Sequence, residues 1–183
     1  MEIIPLSFLV PDMDLRKPIS RAEFAGVAVK AYENLADTTV LPADFNTFAD
    51  TQDTDVLRAL NIGVMVGFSQ TEFSPHTNLT REQAATVLTR VYKRATISEW
   101  SFETDSDHPL AYIRPAPFAD DADISGWARD SVYFMTANGI ILGVGYNVFA
   151  PRAVTSMQEA AGYALATREQ AILLTLRMVE KEW

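Results

Sequence analysis

Cysteine is absent from this 183-residue chain. With it go disulfide staples, thiol nucleophiles and zinc sites of the cysteine type. Histidine is scarce: His76 and His108 are the only two, each beside a proline in a segment that reads as loop, where a solvated surface residue is the ordinary outcome and a general base the rare one. No apolar run approaches the roughly 18–20 residues of a membrane span. The opening stretch Met1–Val10 lacks both the basic region and the long apolar run of a signal peptide, so an exported protein would carry its export signal outside these residues. Positive charge is in deficit, with 15 Lys and Arg against 24 Asp and Glu and a formal net charge of -9. That balance argues against a nucleic-acid backbone as partner, but an acidic average still permits a local cationic pocket.

The signatures of catalysis are missing too. There is no G-x-S-x-G elbow, no phosphate-binding Walker loop and no G-x-G-x-x-G. Asp120, Asp121 and Asp123 form an acidic cluster without the remaining ligands of a calcium loop, and capping or solvation accounts for it. Paired carboxylates of the glycosidase kind are set by distance in space, and nothing marks out such a pair. No enzyme, cofactor or metal is expected. What remains is an ordinary folded composition, 48% hydrophobic and 21% charged, long enough for one good core or two small ones.

The chain does contain an internal repeat. Ser20-Arg21-Ala22-Glu23, Thr80-Arg81-Glu82-Gln83 and Thr167-Arg168-Glu169-Gln170 each place Ser or Thr three residues before Glu or Gln. This is a capping box, which starts a helix by satisfying free backbone N–H groups of the first turn. Counting 4, 7, 8, 11 and 12 residues from each cap gives Phe24, Val27, Ala28, Ala31 and Tyr32, then Ala84, Val87, Leu88, Val91 and Tyr92, then Ala171, Leu174, Thr175, Met178 and Val179. An apolar stripe of helical period thus recurs in register, predicting three helices over about 20–35, 80–94 and 167–181 that pack on one another.

A second unit recurs between the caps. Phe48-Ala49-Asp50 and Phe118-Ala119-Asp120 each open a turn leading to a shorter helix, the first with Val56, Leu57 and Leu60, the second with Trp127, Val132 and Met135. Both run into G-x-x-x-G, Gly63 to Gly67 and Gly139 to Gly143, and then into Phe73-Ser74-Pro75 and Phe149-Ala150-Pro151. The surroundings are too short and polar for a membrane dimer motif; the glycines end a helix and permit a tight turn. The caps are unevenly spaced, 60 residues and then 87. The excess lies in a polar loop over 96–117 and in a stretch near Thr155-Ser156-Met157-Gln158, itself a capping box, where 156–165 reads as an extra short helix.

Capping explains the Ser/Thr and Glu/Gln of the motif, at about 0.5–2 kcal/mol each. It does not explain Arg21, Arg81 and Arg168, because a cation in the first turn opposes the helix dipole. Two accounts stay open. Each arginine pairs with a carboxylate such as Asp50 or Asp120, tying parts of the fold together; or it joins free N–H groups in an anion site, where guanidinium grips a carboxylate through two hydrogen bonds.

These elements in this order resemble the S-layer homology family. The matching features are the Phe-Ala-Asp turn, the Trp127-Ala128 pair, Asn138-Gly139-Ile140, the Phe149-Ala150-Pro151 turn and the T-R-x-E/Q cap, covering about 18–181 apart from the loop and the insertion. The resemblance implies an all-α, pseudo-threefold, three-lobed prism with a central three-helix bundle and shorter peripheral helices. It implies three units, about 1–47, 48–117 and 118–183, with residues 1–17 as the outer segment of a degenerate lobe. It further implies a non-catalytic module at the bacterial cell surface. Such a module tethers an attached protein or enzyme domain to an anionic, often pyruvylated, secondary cell-wall polysaccharide held in grooves between lobes. The groove residues expected on this basis are Arg21, Arg81, Arg168, Trp127, Asp120 and Gly143, with pyruvyl carboxylate as the anion of the arginines. The first repeat has no counterpart of Trp127, which itself reads equally as a sugar platform or a wedge between helices. One good groove, or two, is therefore expected. The alternative is a protein-interaction scaffold that keeps the fold and has lost the sugar site.

Overall fold

The computed structural model describes residues 4, 5, 8, 9 and 11–183; part of the expected outer segment over 1–17 lies outside the described residues. Among the described residues six α-helices follow one another: α1 (Arg21–Leu35), α2 (Thr54–Asn61), α3 (Arg81–Thr96), α4 (Arg129–Ala137), α5 (Ser156–Ala160) and α6 (Arg168–Glu180). No strand occurs among the described residues, which are helix, turn and loop with four isolated bridges. The fold is all-α.

All three predicted capping boxes form. The Ser20, Thr80 and Thr167 hydroxyls accept from the N–H of Glu23, Gln83 and Gln170, and those side chains accept from the N–H of the cap residues. The in-register stripe is buried: Phe24, Val27, Ala28 and Ala31 on α1, Ala84, Val87, Leu88 and Val91 on α3, and Ala171, Leu174, Thr175 and Met178 on α6. Helix α1 packs on α2, α3 and α6, while α4 packs on α3.

The residues just before the three caps close a ring. Ile19 N–H donates to Ala166 C=O (2.8 Å), Ala166 N–H to Leu79 C=O (2.9 Å) and Leu79 N–H to Ile19 C=O (3.0 Å). Those three side chains are at most 1% exposed, so three otherwise unpaired peptide units satisfy one another at the centre of the core. The flanking bridges Pro18–Thr167, Ser20–Asn78 and Thr80–Leu165 complete the pseudo-threefold relation.

The outer helices end as their glycines foretold. After α2, Gly63 N–H donates to Leu60 C=O and Val64 N–H to Ala59 C=O; after α4, Gly139 N–H donates to Thr136 C=O and Ile140 N–H to Met135 C=O. This Schellman arrangement needs a left-handed residue, supplied by Gly63 (φ 75°) and Gly139 (φ 72°). The insertion folds as a one-turn helix α5 with its own capping box at Thr155 and Gln158. One placement needs correction: Trp127 lies just before Ala128, the N-cap of α4, and so precedes that helix.

Candidate functional site

The motif arginines of the first two caps sit in matching nests of backbone. Arg21 donates through Nε to Phe73 C=O (2.8 Å) and through Nη2 to Val66 C=O (2.8 Å), with its guanidinium 4.6 Å from the centre of the Phe73 ring. Arg81 donates through Nε to Phe149 C=O (2.9 Å) and through Nη2 to Leu142 C=O (2.7 Å), 5.0 Å from the Phe149 ring. Burial lowers the pKa of both from the ordinary value, against the attraction of Asp50 and Asp120 respectively; an arginine stays charged nonetheless.

Neither aspartate touches its arginine as an ion pair. Asp50 accepts from Phe73 N–H (2.9 Å) and Ser74 N–H (2.7 Å), and Asp120 from Phe149 N–H (2.8 Å) and Ala150 N–H (2.7 Å). Carboxylate, peptide unit and guanidinium thus form a relay, in which one phenylalanine donates to the aspartate and accepts from the arginine. The expected Asp50 and Asp120 pairings are one residue removed.

The free N–H groups of the anion-site account are occupied. Arg21 and Ala22 N–H donate to Thr77 and Pro75 C=O, Arg81 and Glu82 N–H to Ala164 and Pro151 C=O, and Arg168 and Glu169 N–H to Lys17 and Leu15 C=O. With the third N–H on the cap hydroxyl, the first turn of every core helix is satisfied. An anion at these caps meets side-chain cations only.

Two grooves carry such cations. Arg81, Leu142, Gly143, Gln170, Leu174 and Arg177 line a groove of about 390 Å³ between the α4–α5 turn and α6. Arg21, Val66, Gly67, Phe68, Val87 and Arg90 line its counterpart, about 220 Å³, against α3. Arg90 and Arg177 share the same offset, ten residues beyond their caps, and Lys30 occupies it in the first copy. In the larger groove Arg177 donates to Ile140 C=O (3.2 Å), and no carboxylate among the described residues forms an ion pair with Arg81 or Arg177. In the smaller one Arg90 is drawn aside, its Nε 3.8 Å from Asp105 and its guanidinium 4.8 Å from the Phe102 ring.

The third position is neutralised internally. Arg168 donates to Glu23 Oε1 through Nη2 (2.7 Å) and Nε (3.0 Å), and Lys30 Nζ lies 3.3 Å from Glu33.

The other expected residues divide. Gly143 lines the Arg81 groove, and a Cβ there would stand 2.7 Å from Val148 O. Asp120 holds the Phe149-Ala150 turn from behind. Trp127, 60% exposed, lines a different cleft beside α3 and α4, which shares no residue with the arginine groove. Three functional candidates escaped sequence reasoning. Arg90 and Arg177 were detectable by carrying the in-register comparison to offset ten. Glu82 was not: it is 2% exposed and accepts from Ser125 N–H (2.9 Å) and Ser125 Oγ (2.8 Å), a contact across 43 residues of chain. Among the described residues no group of three His, Cys, Asp or Glu could hold a metal, and no helix is long and apolar enough to cross a membrane.

Three matched helix starts, a closed central ring and repeated arginine nests define a tandem-repeat module with grooves between its parts. The S-layer homology domain model matches residues 54–85 and 117–161. The surface-layer 125 kDa protein of Lysinibacillus sphaericus is 33% identical over 128 residues, 69% of this chain and 9% of its own length. Exoglucanase XynX of Acetivibrio thermocellus is 28% identical over 85% of this chain and 13% of its own length. Amylopullulanase of Thermoanaerobacterium thermosulfurigenes is 27% identical over 85% of this chain and 8% of its own length. The chain belongs to the S-layer homology family, a family of non-catalytic anchoring modules, and spans only a small part of the curated relatives it matches.

Proposed function

We propose that this chain anchors an attached surface protein or enzyme domain to the bacterial cell wall. It does so by binding an anionic, pyruvate-bearing secondary wall polysaccharide without covalent chemistry. The observation that carries the reading is the pair Arg81 and Arg177 in one groove, Arg81 hydrogen-bonded to two backbone carbonyls and Arg177 to one, and neither paired with a carboxylate among the described residues. Arg81 is 7% exposed and fixed by two bonds, so little ordering is lost on binding. Arg177 completes a site for a carboxylate, which guanidinium engages through charge-assisted hydrogen bonds. Gly143 and Leu142 line the groove beside it. The Arg21 and Arg90 groove is the weaker second site, because Asp105 competes for Arg90.

Co-sedimentation with purified cell-wall sacculi, before and after removal of the wall polymer, tests this. Polymer-dependent binding that falls at least about tenfold in Arg177→Ala and weakens with added salt supports it. A folded Arg177→Ala that sediments like the unaltered chain would sink the arginine mechanism. The scaffold reading draws on the self-neutralised Arg168–Glu23 position; absence of any polymer-dependent binding would establish it.

A further inference from the structure

We propose that the cleft beside Trp127 is a second ligand site, which takes a sugar ring bearing a free amine. It is independent of the arginine groove and shares no lining residue with it. The cleft, about 400 Å³, opens between α3, the 97–117 segment and α4, within the range of about 300–1,000 Å³ usual for small-molecule sites.

Its walls are held in place. Asp105 in the 97–117 segment accepts from Lys93 Nζ (2.7 Å) and Trp100 Nε1 (2.8 Å), and Lys93 also donates to Asp105 C=O (2.9 Å). Tyr112 from the same segment meets Phe134 of α4 edge-on at 5.9 Å. This wall belongs to the second repeat alone: 38 residues separate Thr80 from Phe118, against 28 from Ser20 to Phe48. The pedestal of Trp127 is rigid as well. Ser125, two residues earlier, is clamped through its N–H and Oγ to buried Glu82 and accepts from Ala128 and Arg129 N–H. A rigid mount that leaves an indole 60% exposed forgoes the large burial energy of tryptophan; the arrangement pre-forms a platform.

Charge selects what lies on it. Lys93 is matched by Asp105, which leaves Asp130, exposed and engaged by no hydrogen bond or ion pair among the described residues. The charged groups that line the cleft, Lys93, Asp105 and Asp130, sum to one negative charge; Arg90, outside the lining, also lies 3.8 Å from Asp105, and the lining itself disfavours a carboxylate-bearing sugar. An ammonium is favoured twice, by Asp130 and by the negative face of the indole, while the ring's C–H face stacks on Trp127 and the Ser106 and Ser131 hydroxyls meet ring hydroxyls.

The test is titration of the full chain with tri-glucosamine, tri-N-acetylglucosamine and glucuronate, read by calorimetry and tryptophan fluorescence. The expected result is at least about tenfold tighter binding of tri-glucosamine than of its acetylated form, with no glucuronate binding at this cleft. Asp130→Asn should remove most of that preference and Trp127→Ala should abolish binding, with unchanged circular dichroism since both side chains are exposed. Arg177→Ala should leave tri-glucosamine affinity intact whatever it does to sacculus binding, which separates this site from the anchoring reading. Equal affinity for the two trisaccharides, no binding of either, an unaffected Asp130→Asn, or loss in Arg177→Ala would each overturn the proposal.

Discussion

Glu23 divides its carboxylate between two helices: Oε2 accepts the Ser20 N–H that begins α1 (2.9 Å), and Oε1 accepts the guanidinium of Arg168 on α6 (2.7 Å). The same position in the other two boxes is Gln83 and Gln170, which cap equally well and carry no charge. One substitution class within the motif therefore decides whether the neighbouring arginine is neutralised.

Glu23→Gln should separate the two roles. The box stays intact and the ion pair is lost; with side chains 19% and 18% exposed, the expected loss is about 0.5–1 kcal/mol, seen as a small drop in urea midpoint. Glu23→Ala removes cap partner and ion pair together and should cost about 2 kcal/mol. Equal losses for the two variants would contradict the division of labour.

Arg81 and Arg177 line one groove but differ in how much of the fold depends on them. Arg81→Ala strands Phe149 and Leu142 carbonyls in a largely buried place and should destabilise by about 2–4 kcal/mol. Arg177, partly exposed with one long bond, should cost less than about 1 kcal/mol. Thermal denaturation of the pair checks this, and a similar loss for both would argue against the nest.

Acid should loosen the 97–117 wall. Burial raises the Asp105 pKa, but hydrogen bonds from Lys93 and Trp100 and the charge of Arg90 outweigh it, so the carboxyl lies below its ordinary range. A folded-state pKa that is depressed contributes stability above the unfolded value near about pH 4, and that stability is lost as pH falls through the folded value. Fluorescence of the 2%-exposed Trp100 should report opening below about pH 4, and Asp105→Asn should flatten this acid limb. An Asp105→Asn chain with an unchanged acid transition would contradict it.

Two turn positions should respond in opposite directions. A Cβ on Gly67 would stand 2.3 Å from Ser69 O and 2.5 Å from Phe48 Cε1, so Gly67→Ala should lose about 1–3 kcal/mol. Tyr146 holds a left-handed backbone (φ 49°) with its side chain fully in solvent. Tyr146→Gly relieves that strain without losing packing and should gain up to about 1 kcal/mol. Equilibrium unfolding in urea measures both; a destabilised Tyr146→Gly would show that the turn is unstrained.

Much of the architecture was legible because its signals are local. A cap hydroxyl and its partner three residues on, the stripe from Phe24 to Tyr32, and a glycine after Asn138 each act within a turn or two of chain. The site was less legible. Arg21, Arg81 and Arg168 look alike in sequence, yet two are bound to backbone carbonyls alone and the third to the Glu23 carboxylate as well as to Asp14 C=O. Trp127 and Arg81 were expected together and line separate clefts. The arginine nests depend on partners 45 to 68 residues away and the Arg168 ion pair on one 145 residues away, where no periodicity reaches.

By itself, then, the sequence determined where the core helices start, which face they bury and that the units repeat, because capping and amphipathic burial are decided within a few residues. Only the tertiary structure decided which of the motif cations are neutralised by a carboxylate. Charge pairing acts through space and falls with distance, and it is the fold closed by the ring of Ile19, Leu79 and Ala166 that sets Glu23 against Arg168 and places Arg81 and Arg177 in one groove.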